Sequence, residues 1–362
     1  MSEILRMKTA MSAGSNTKSI GSVVDLFCGA GGLSYGLKLE GFQIATGIDL
    51  DEDCRYAYET NNKAQFLLKD VSHITPREIN QLFPDNSIRV LVGCAPCQPF
   101  SNYSQKSSDP KWRLIKRFSE LVIGTLPDVV SMENVPALVS FQGGRVFDDF
   151  VNKLERKNYT VVWGILYGPD YGLAQTRSRL VLLASRLGRI TLPHKTHTDC
   201  QRTVKDELAD LHPIAAGEVC KKDPLHRSYG LSEINLQRIK ASIPGGTWRD
   251  WPDEIISICH RKPGGQSFSS VYGRMAWDKP SPTITTQFTG FGNGRFGHPE
   301  QDRALSLREG ALLQGFPKEY QFTRAGEKIN IRSVARMIGN AVPVTLARVI
   351  GRSIKEHLPA CS

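Results

Sequence analysis

The stretch that most constrains the fold is Val23-Val24-Asp25-Leu26-Phe27 running straight into Cys28-Gly29-Ala30-Gly31-Gly32-Leu33. The apolar run reads as a buried strand, and the glycines let the backbone turn sharply into a helix that should run to Leu39 and end at Gly41. Such a turn also brings backbone N–H groups close to a ligand. Residues 43–48 predict a second strand ending at Asp49, about twenty positions after the glycines, where a carboxylate can accept from ribose hydroxyls. Ser34 stands where a dinucleotide fingerprint needs its third glycine, so a mononucleoside-type cofactor fits better than a nicotinamide dinucleotide.

The alternation continues. Residues 64–68 lead to Asp70-Val71, residues 88–92 to Cys94 and Cys97, and residues 128–132 to Glu133-Asn134-Val135-Pro136. Residues 159–166 and 179–184 predict two more strands. Strands alternating with helical segments predict an α/β fold, a parallel sheet with helices on both faces. Ligands then bind beyond the carboxyl ends of the strands, the edge where the glycine turn, Asp49, Asp70, Cys97 and Glu133 fall. From about residue 190 the alternation gives way to a loop-rich stretch, in which residues 290–297 read as a flexible glycine loop. A helical pattern resumes at Ser306, and a last helix over about 333–354 surrounds Gly339-Asn340-Ala341-Val342-Pro343. The expected division is a mobile tail over 1–19, a large domain over 20–189 plus 330–362, and a smaller domain with its hinge over 190–329.

Charge points to the partner. Among 362 residues, 46 Lys and Arg against 36 Asp and Glu leave a net +10, which favours a polyanion, nucleic acid being the commonest. Eight cysteines at irregular spacings do not make a disulfide scaffold and point to a reducing cytoplasm. No stretch approaches the length of a membrane-spanning helix, and the first residues lack a signal peptide's apolar core.

In Cys94-Ala95-Pro96-Cys97-Gln98-Pro99, two prolines stiffen the loop that carries Cys97 at a strand end. That placement suits a nucleophile. On this stretch alone two other readings stand: a buried structural cysteine, or a Cys94–Cys97 pair with a redox role or half of a zinc site.

The wider pattern resembles the DNA (cytosine-5)-methyltransferases, over nearly everything from Val23 to Ile354. Asp25-Leu26-Phe27-Cys28-Gly29-Ala30-Gly31-Gly32 is similar to that family's S-adenosylmethionine motif, Pro96-Cys97-Gln98 to its catalytic loop and Glu133-Asn134-Val135 to its acidic motif. Gln175-Thr176-Arg177-Ser178-Arg179 resembles the motif that places two arginines at the active site. Arg303-Ala304-Leu305-Ser306-Leu307-Arg308-Glu309, ending in Gln314-Gly315-Phe316-Pro317, resembles the support of the recognition domain, and Gly339-Asn340-Ala341-Val342-Pro343 the last motif. One departure is Lys111-Trp112-Arg113-Leu114, where the family has Arg-Gly-x-Leu; only Leu114, an adenine contact, carries over.

The resemblance implies a Rossmann-like methyltransferase sheet with a smaller, loop-rich target-recognition domain, S-adenosyl-L-methionine as cofactor, and methylation of carbon 5 of a cytosine flipped out of a specific double-stranded DNA sequence. It makes Cys97 the nucleophile, Glu133 the partner of ring N3 and the exocyclic amine, Arg179 a donor to the base carbonyl, and Arg177 a brace for the loop or a phosphate. Cys94 is then a packing residue. For the cofactor it implies Phe27, Leu50 and Leu114 around the adenine, Asp49 on the ribose, and Asp70 and Val71 at the adenine edge. Ala30, Gly31, Gly32 and Leu33 would serve the methionine end, with Pro96, Asn340, Ala341 and Val342 completing the pocket. A basic loop over 102–117, with Lys106, Lys111, Arg113, Lys116 and Arg117 against Asp109, would close over DNA. A cognate restriction endonuclease would act separately. An inactive DNA-binding homologue and a tRNA methyltransferase of the same fold remain as alternatives.

Overall fold

The computed structural model describes residues 20–96 and 112–359. Its strands are β1 (Ser22–Leu26), β2 (Gln43–Asp49), β3 (Gln65–Leu68), β4 (Arg89–Gly93), β5 (Val129–Asn134), β6 (Thr160–Tyr167) and β7 (Ser178–Ser185). They form one sheet in the order β3-β2-β1-β4-β5-β7-β6. The helices interleaved with them are α1 (Gly32–Leu39), α2 (Arg55–Asn62), α3 (Pro76–Leu82), α4 (Arg113–Thr125) and α5 (Arg145–Glu155). The central strands β1, β4 and β5 are buried nearly end to end, as strands covered on both faces must be. Phe118, Leu121 and Val122 of α4 and Phe147, Phe150 and Leu154 of α5 join the core that these strands share. The sheet order reverses between β1 and β4, the place where such folds open a binding crevice.

The sheet is not wholly parallel. β1–β2, β1–β4, β2–β3 and β4–β5 are parallel, but β5 and β7 run antiparallel, with Glu133 opposite Val181. The reason is the short connection from Tyr167 to Ser178, which holds only a 3-10 turn and a two-residue strand where a parallel return needs a crossover helix.

By its contacts the chain divides into two compact units, residues 1–166 with 178–194 and 346–362, and residues 167–177 with 195–345. Residues 167–177 and 330–345 pair within the second unit. Thr176 Oγ1 donates to the Ser281 carbonyl at 3.0 Å, and Gln314 Nε2 donates to the Ile338 carbonyl at 2.6 Å.

The second unit contains α6 (Val204–Leu208), α7 (Glu233–Ala241), α8 (Leu307–Leu313) and α9 (Ile331–Asn340). Its own small core gathers Ile239, Trp248, Trp251, Phe291 and Ala304. Two expectations are corrected here. Residues 290–297 are a packed loop, since Phe291 and Phe296 are both buried. The single last helix is two, α9 and α10 (Val344–His357). Pro343 forces the break, because the residue before a proline is driven from helical geometry and proline offers no N–H to a preceding carbonyl.

Candidate active site

The carboxyl edge of β1, β2, β4 and β5 collects the acids the sequence singled out. Phe27 and Gly29 turn the chain after β1 with φ of 63° and 51°, and Gly31 follows with 92°. Only glycine tolerates two such steps cheaply; the half-buried Phe27 is the strained exception. The turn is fastened to β2: Phe27 N–H donates to the Ile48 carbonyl at 2.9 Å and Gly29 N–H to Asp49 Oδ2 at 2.8 Å. Asp49 Oδ1 accepts from Asp51 N–H at 2.9 Å. Burial raises the Asp49 carboxyl, against the pull of those backbone donors. Beside it Leu50 is 68% exposed, an apolar side chain held in water.

Beneath the turn lies a network the sequence did not reveal. Ser34 Oγ donates to Asp25 Oδ2 at 2.7 Å and lies 2.9 Å from the Tyr58 hydroxyl. Gly47 makes room for that tyrosine, since a Cβ there would sit 2.2 Å from the ring. Asp25 is fully buried, and burial pushes its carboxyl up to about 7; the Ser34 hydrogen bond opposes the rise and the charge of Asp49 adds to it. Its Oδ1 receives no hydrogen bond among the described residues. The serine that argued against a dinucleotide fold is thus the anchor of this acid.

Other expected contacts divide. Asp70 is half-exposed, accepts from Ser72 N–H at 2.8 Å and is held below the usual carboxylate range mainly by that bond. Val71 is buried in the core, so only its backbone can face a ligand. Leu114 is half-buried near the start of α4, and Pro96 is half-buried after β4. Ala30, Gly31, Gly32 and Leu33 are buried. Asn340 is exposed, whereas Ala341 and Val342 are buried, all three in the second unit. Arg113, Lys116 and Arg117 are helical rather than looped, and Arg117 donates to the Ile74 carbonyl at 2.6 Å. Cys97, Lys106, Asp109 and Lys111 lie outside the described residues.

Glu133 ends β5 at 2% exposure. Arg179 lies two residues before Val181, the residue opposite Glu133, so both side chains leave the same face of the antiparallel pair. Its Nε stands 2.9 Å from Glu133 Oε1, within ion-pair distance, yet no hydrogen bond is aligned on Oε1 among the described residues. Glu133 Oε2 instead accepts from the Cys94 thiol at 2.8 Å. Cys94 is therefore more than a packing residue. Asn134 is buried and donates to the Ala95 carbonyl at 3.0 Å, tying β5 to the segment that enters the Pro96-Cys97 loop. Cys28, a neighbouring thiol, is pushed up by burial and by Asp25 and Asp49, which makes it a poor nucleophile.

Arg177 goes elsewhere. It is buried in the second unit, where it donates to the Ile284 carbonyl at 3.1 Å and the Ala341 carbonyl at 3.3 Å. It braces two backbone segments and is not surface charge. Among the described residues no cluster of His, Cys, Asp and Glu fits a metal ion, and no helix is long and apolar enough to cross a membrane.

Residues 21–356 match the family described as C-5 cytosine-specific DNA methylase. Type II methylase M.HgiDII of Herpetosiphon aurantiacus is 52% identical over 341 residues, which cover 94% of this chain and 96% of that protein. Type II methyltransferase M.Sau96I of Staphylococcus aureus is 28% identical over 93% of this chain and 76% of its own length. Among solved structures, an E. coli prophage-encoded protein assigned as a DNA modification methyltransferase superposes with a TM-score of 0.73 at 22% identity, covering 93% of this chain and 99% of that one. Entamoeba histolytica methyltransferase EhMeth gives 0.64 at 17% identity, covering 95% and 100%. At such identities the two structures speak for the fold alone.

Proposed function

The chain belongs to the C-5 cytosine-specific DNA methylase family and is a DNA (cytosine-5)-methyltransferase; from that premise we propose that it methylates a flipped-out cytosine in a specific duplex sequence through a covalent Cys97 adduct. One observation carries the proposal: a buried carboxylate, Glu133, has Arg179 fixed beside it and one oxygen without an aligned donor.

S-adenosylmethionine, when bound, supplies an electrophilic methyl group. The residues present suit it: exposed Leu50 would offer apolar cover for a flat base, and the Asp49 carboxylate would accept from the ribose hydroxyls. The buried Asp25 has an oxygen to spare behind the glycine turn. Phe27, Leu114, Asp70, the Val71 backbone, Ala30 to Leu33 and Pro96 would complete the hold on this side; for Asn340, Ala341 and Val342 the cofactor role rests on the family motif alone.

Carbon 5 of cytosine is a weak nucleophile. Attack of the Cys97 thiolate on carbon 6 turns the ring into an enamine that reacts at carbon 5. Glu133 meets N3 and the exocyclic amine, where its unaligned oxygen can share a proton with the ring as electron density arrives. Arg179 donates to the base carbonyl. Loss of the carbon 5 proton and expulsion of Cys97 restore the aromatic ring. The target base must leave the stack to reach these groups.

We assign sequence readout to residues 190–329, because base edges are reached by groove-entering loops outside a cofactor sheet. The Type II names of its relatives suit a restriction endonuclease acting separately at the same sequence in the cytoplasm. Bisulfite sequencing of DNA from an expressing host tests the proposal. Complete conversion resistance at one recurring sequence is expected. DNA with no protected cytosine contradicts it.

A further inference from the structure

The two oxygens of Glu133 are not equivalent, and the difference comes from Cys94. The parallel register sets Gly93 of β4 opposite Met132 of β5, so the next residue on each strand, Cys94 and Glu133, emerge side by side at the sheet edge. The Cys94 thiol donates to Oε2 at 2.8 Å. Arg179 Nε approaches Oε1 at 2.9 Å without the alignment of a hydrogen bond. Oε2 is thus taken by a neighbour on an adjacent strand, while Oε1 keeps its lone pairs for another donor. A carboxyl group turns easily about its last torsion, which is broad and two-fold. In a site where Glu133 is 2% exposed, water is not there to replace a lost donor.

We infer that Cys94 is a positioning residue for the reaction: its S–H holds Oε2 and so presents Oε1 to the cytosine ring. This rests on reading Glu133 as the group that meets the base. It also gives the first cysteine of Cys94-Ala95-Pro96-Cys97 a part of its own, one that a hydrogen bond alone fulfils. The hydrogen bond asks only for a small side chain with one donor. Serine meets that requirement; alanine does not.

The test is steady-state kinetics of the full chain on duplex DNA carrying the target, for wild type, Cys94→Ala, Cys94→Ser, Glu133→Gln and the Cys94→Ala/Glu133→Gln double variant. Cys94→Ala is expected to lower kcat about tenfold while KM for DNA and cofactor stays within about twofold, the pattern of an interaction that matters at the transition state. Cys94→Ser should recover most of that loss. The double variant should turn over no more slowly than Glu133→Gln alone, since nothing remains to be positioned. If alanine prevents folding, Cys94→Val, which fills the space without a donor, must show the same loss of kcat. Wild-type kcat in the donor-free variant, a loss that serine does not relieve, or losses that multiply with Glu133→Gln would each overturn the inference. Full turnover by Glu133→Gln would instead bring down the reading of Glu133 itself.

Discussion

Asp25 and Glu309 are both acids withdrawn from water, one in each compact unit, and their surroundings drive them apart. Asp25 is held by Ser34 on one oxygen, and its other oxygen has no hydrogen bond among the described residues; burial lifts it to about 7. Burial would lift Glu309 as well, but Arg303 answers it with two bonds of 2.7 Å, Ser306 N–H adds a third at 2.7 Å, and the carboxyl is held at about 2. His298, 3.7 Å from Glu309, is itself pushed down to about 4, chiefly by burial, so Arg303 is the cation that pairs Glu309. The completeness of these contacts marks Glu309 as scaffold, the N3 acid of a capping box whose N-cap, at the start of α8, is Ser306. Asp25, half satisfied under a ligand turn, is the kind of acid a fold tolerates for function.

The hardest blow to this contrast comes from Arg303. Replacing it in Arg303→Met leaves Glu309 buried without its cation, and the second unit should lose about 3–5 kcal/mol in urea unfolding. A loss under about 1 kcal/mol would mean that the pair does not hold the unit together.

Asp25→Asn should act in the opposite sense. A carboxyl raised in the folded state favours folding while protonated, and that advantage, complete below its unfolded value near 4, fades as the pH climbs through about 7. At pH 8 the wild type therefore carries the whole cost of a buried charge. The amide should be more stable there by about 2–4 kcal/mol, and the two proteins should converge near pH 4. Thermal melts across that range decide it; a stability difference that ignores pH would erase the distinction between the two acids.

Asp49 stands between the extremes, only partly buried and with both oxygens held by backbone N–H groups. Asp49→Ala should weaken S-adenosylmethionine binding by about 1–3 kcal/mol in calorimetry without DNA. Unchanged affinity would make it a fastener of the glycine turn and nothing more.

Much of this was legible in the chain because it is local. Apolar runs marked every strand of the large sheet, and Glu133, Asp49 and the glycine turn fell at its edge as the alternation required. Pairing direction is not local, so β7 was read as parallel, although its antiparallel course is what sets Arg179 beside Glu133. Nor does a sequence show who answers a buried polar group. Arg177 and Arg179 look alike on paper; one holds backbone carbonyls and the other faces an acid. Asp25, Ser34 and Tyr58 are far enough apart in the chain that only the fold unites them, and Cys94 read as packing until its partner on β5 was known.

The central claim is the covalent attack by Cys97, and 5-fluorocytosine at the target position of a DNA duplex tests it most directly. Fluorine cannot leave carbon 5 as a proton does, so the adduct formed before that step has no exit. Incubated with S-adenosylmethionine, the wild-type chain should remain bound to this DNA through denaturation. Cys97→Ser should not, because a serine hydroxyl is far less acidic and less nucleophilic than a thiol. Trapping that survives the loss of Cys97 would contradict the account.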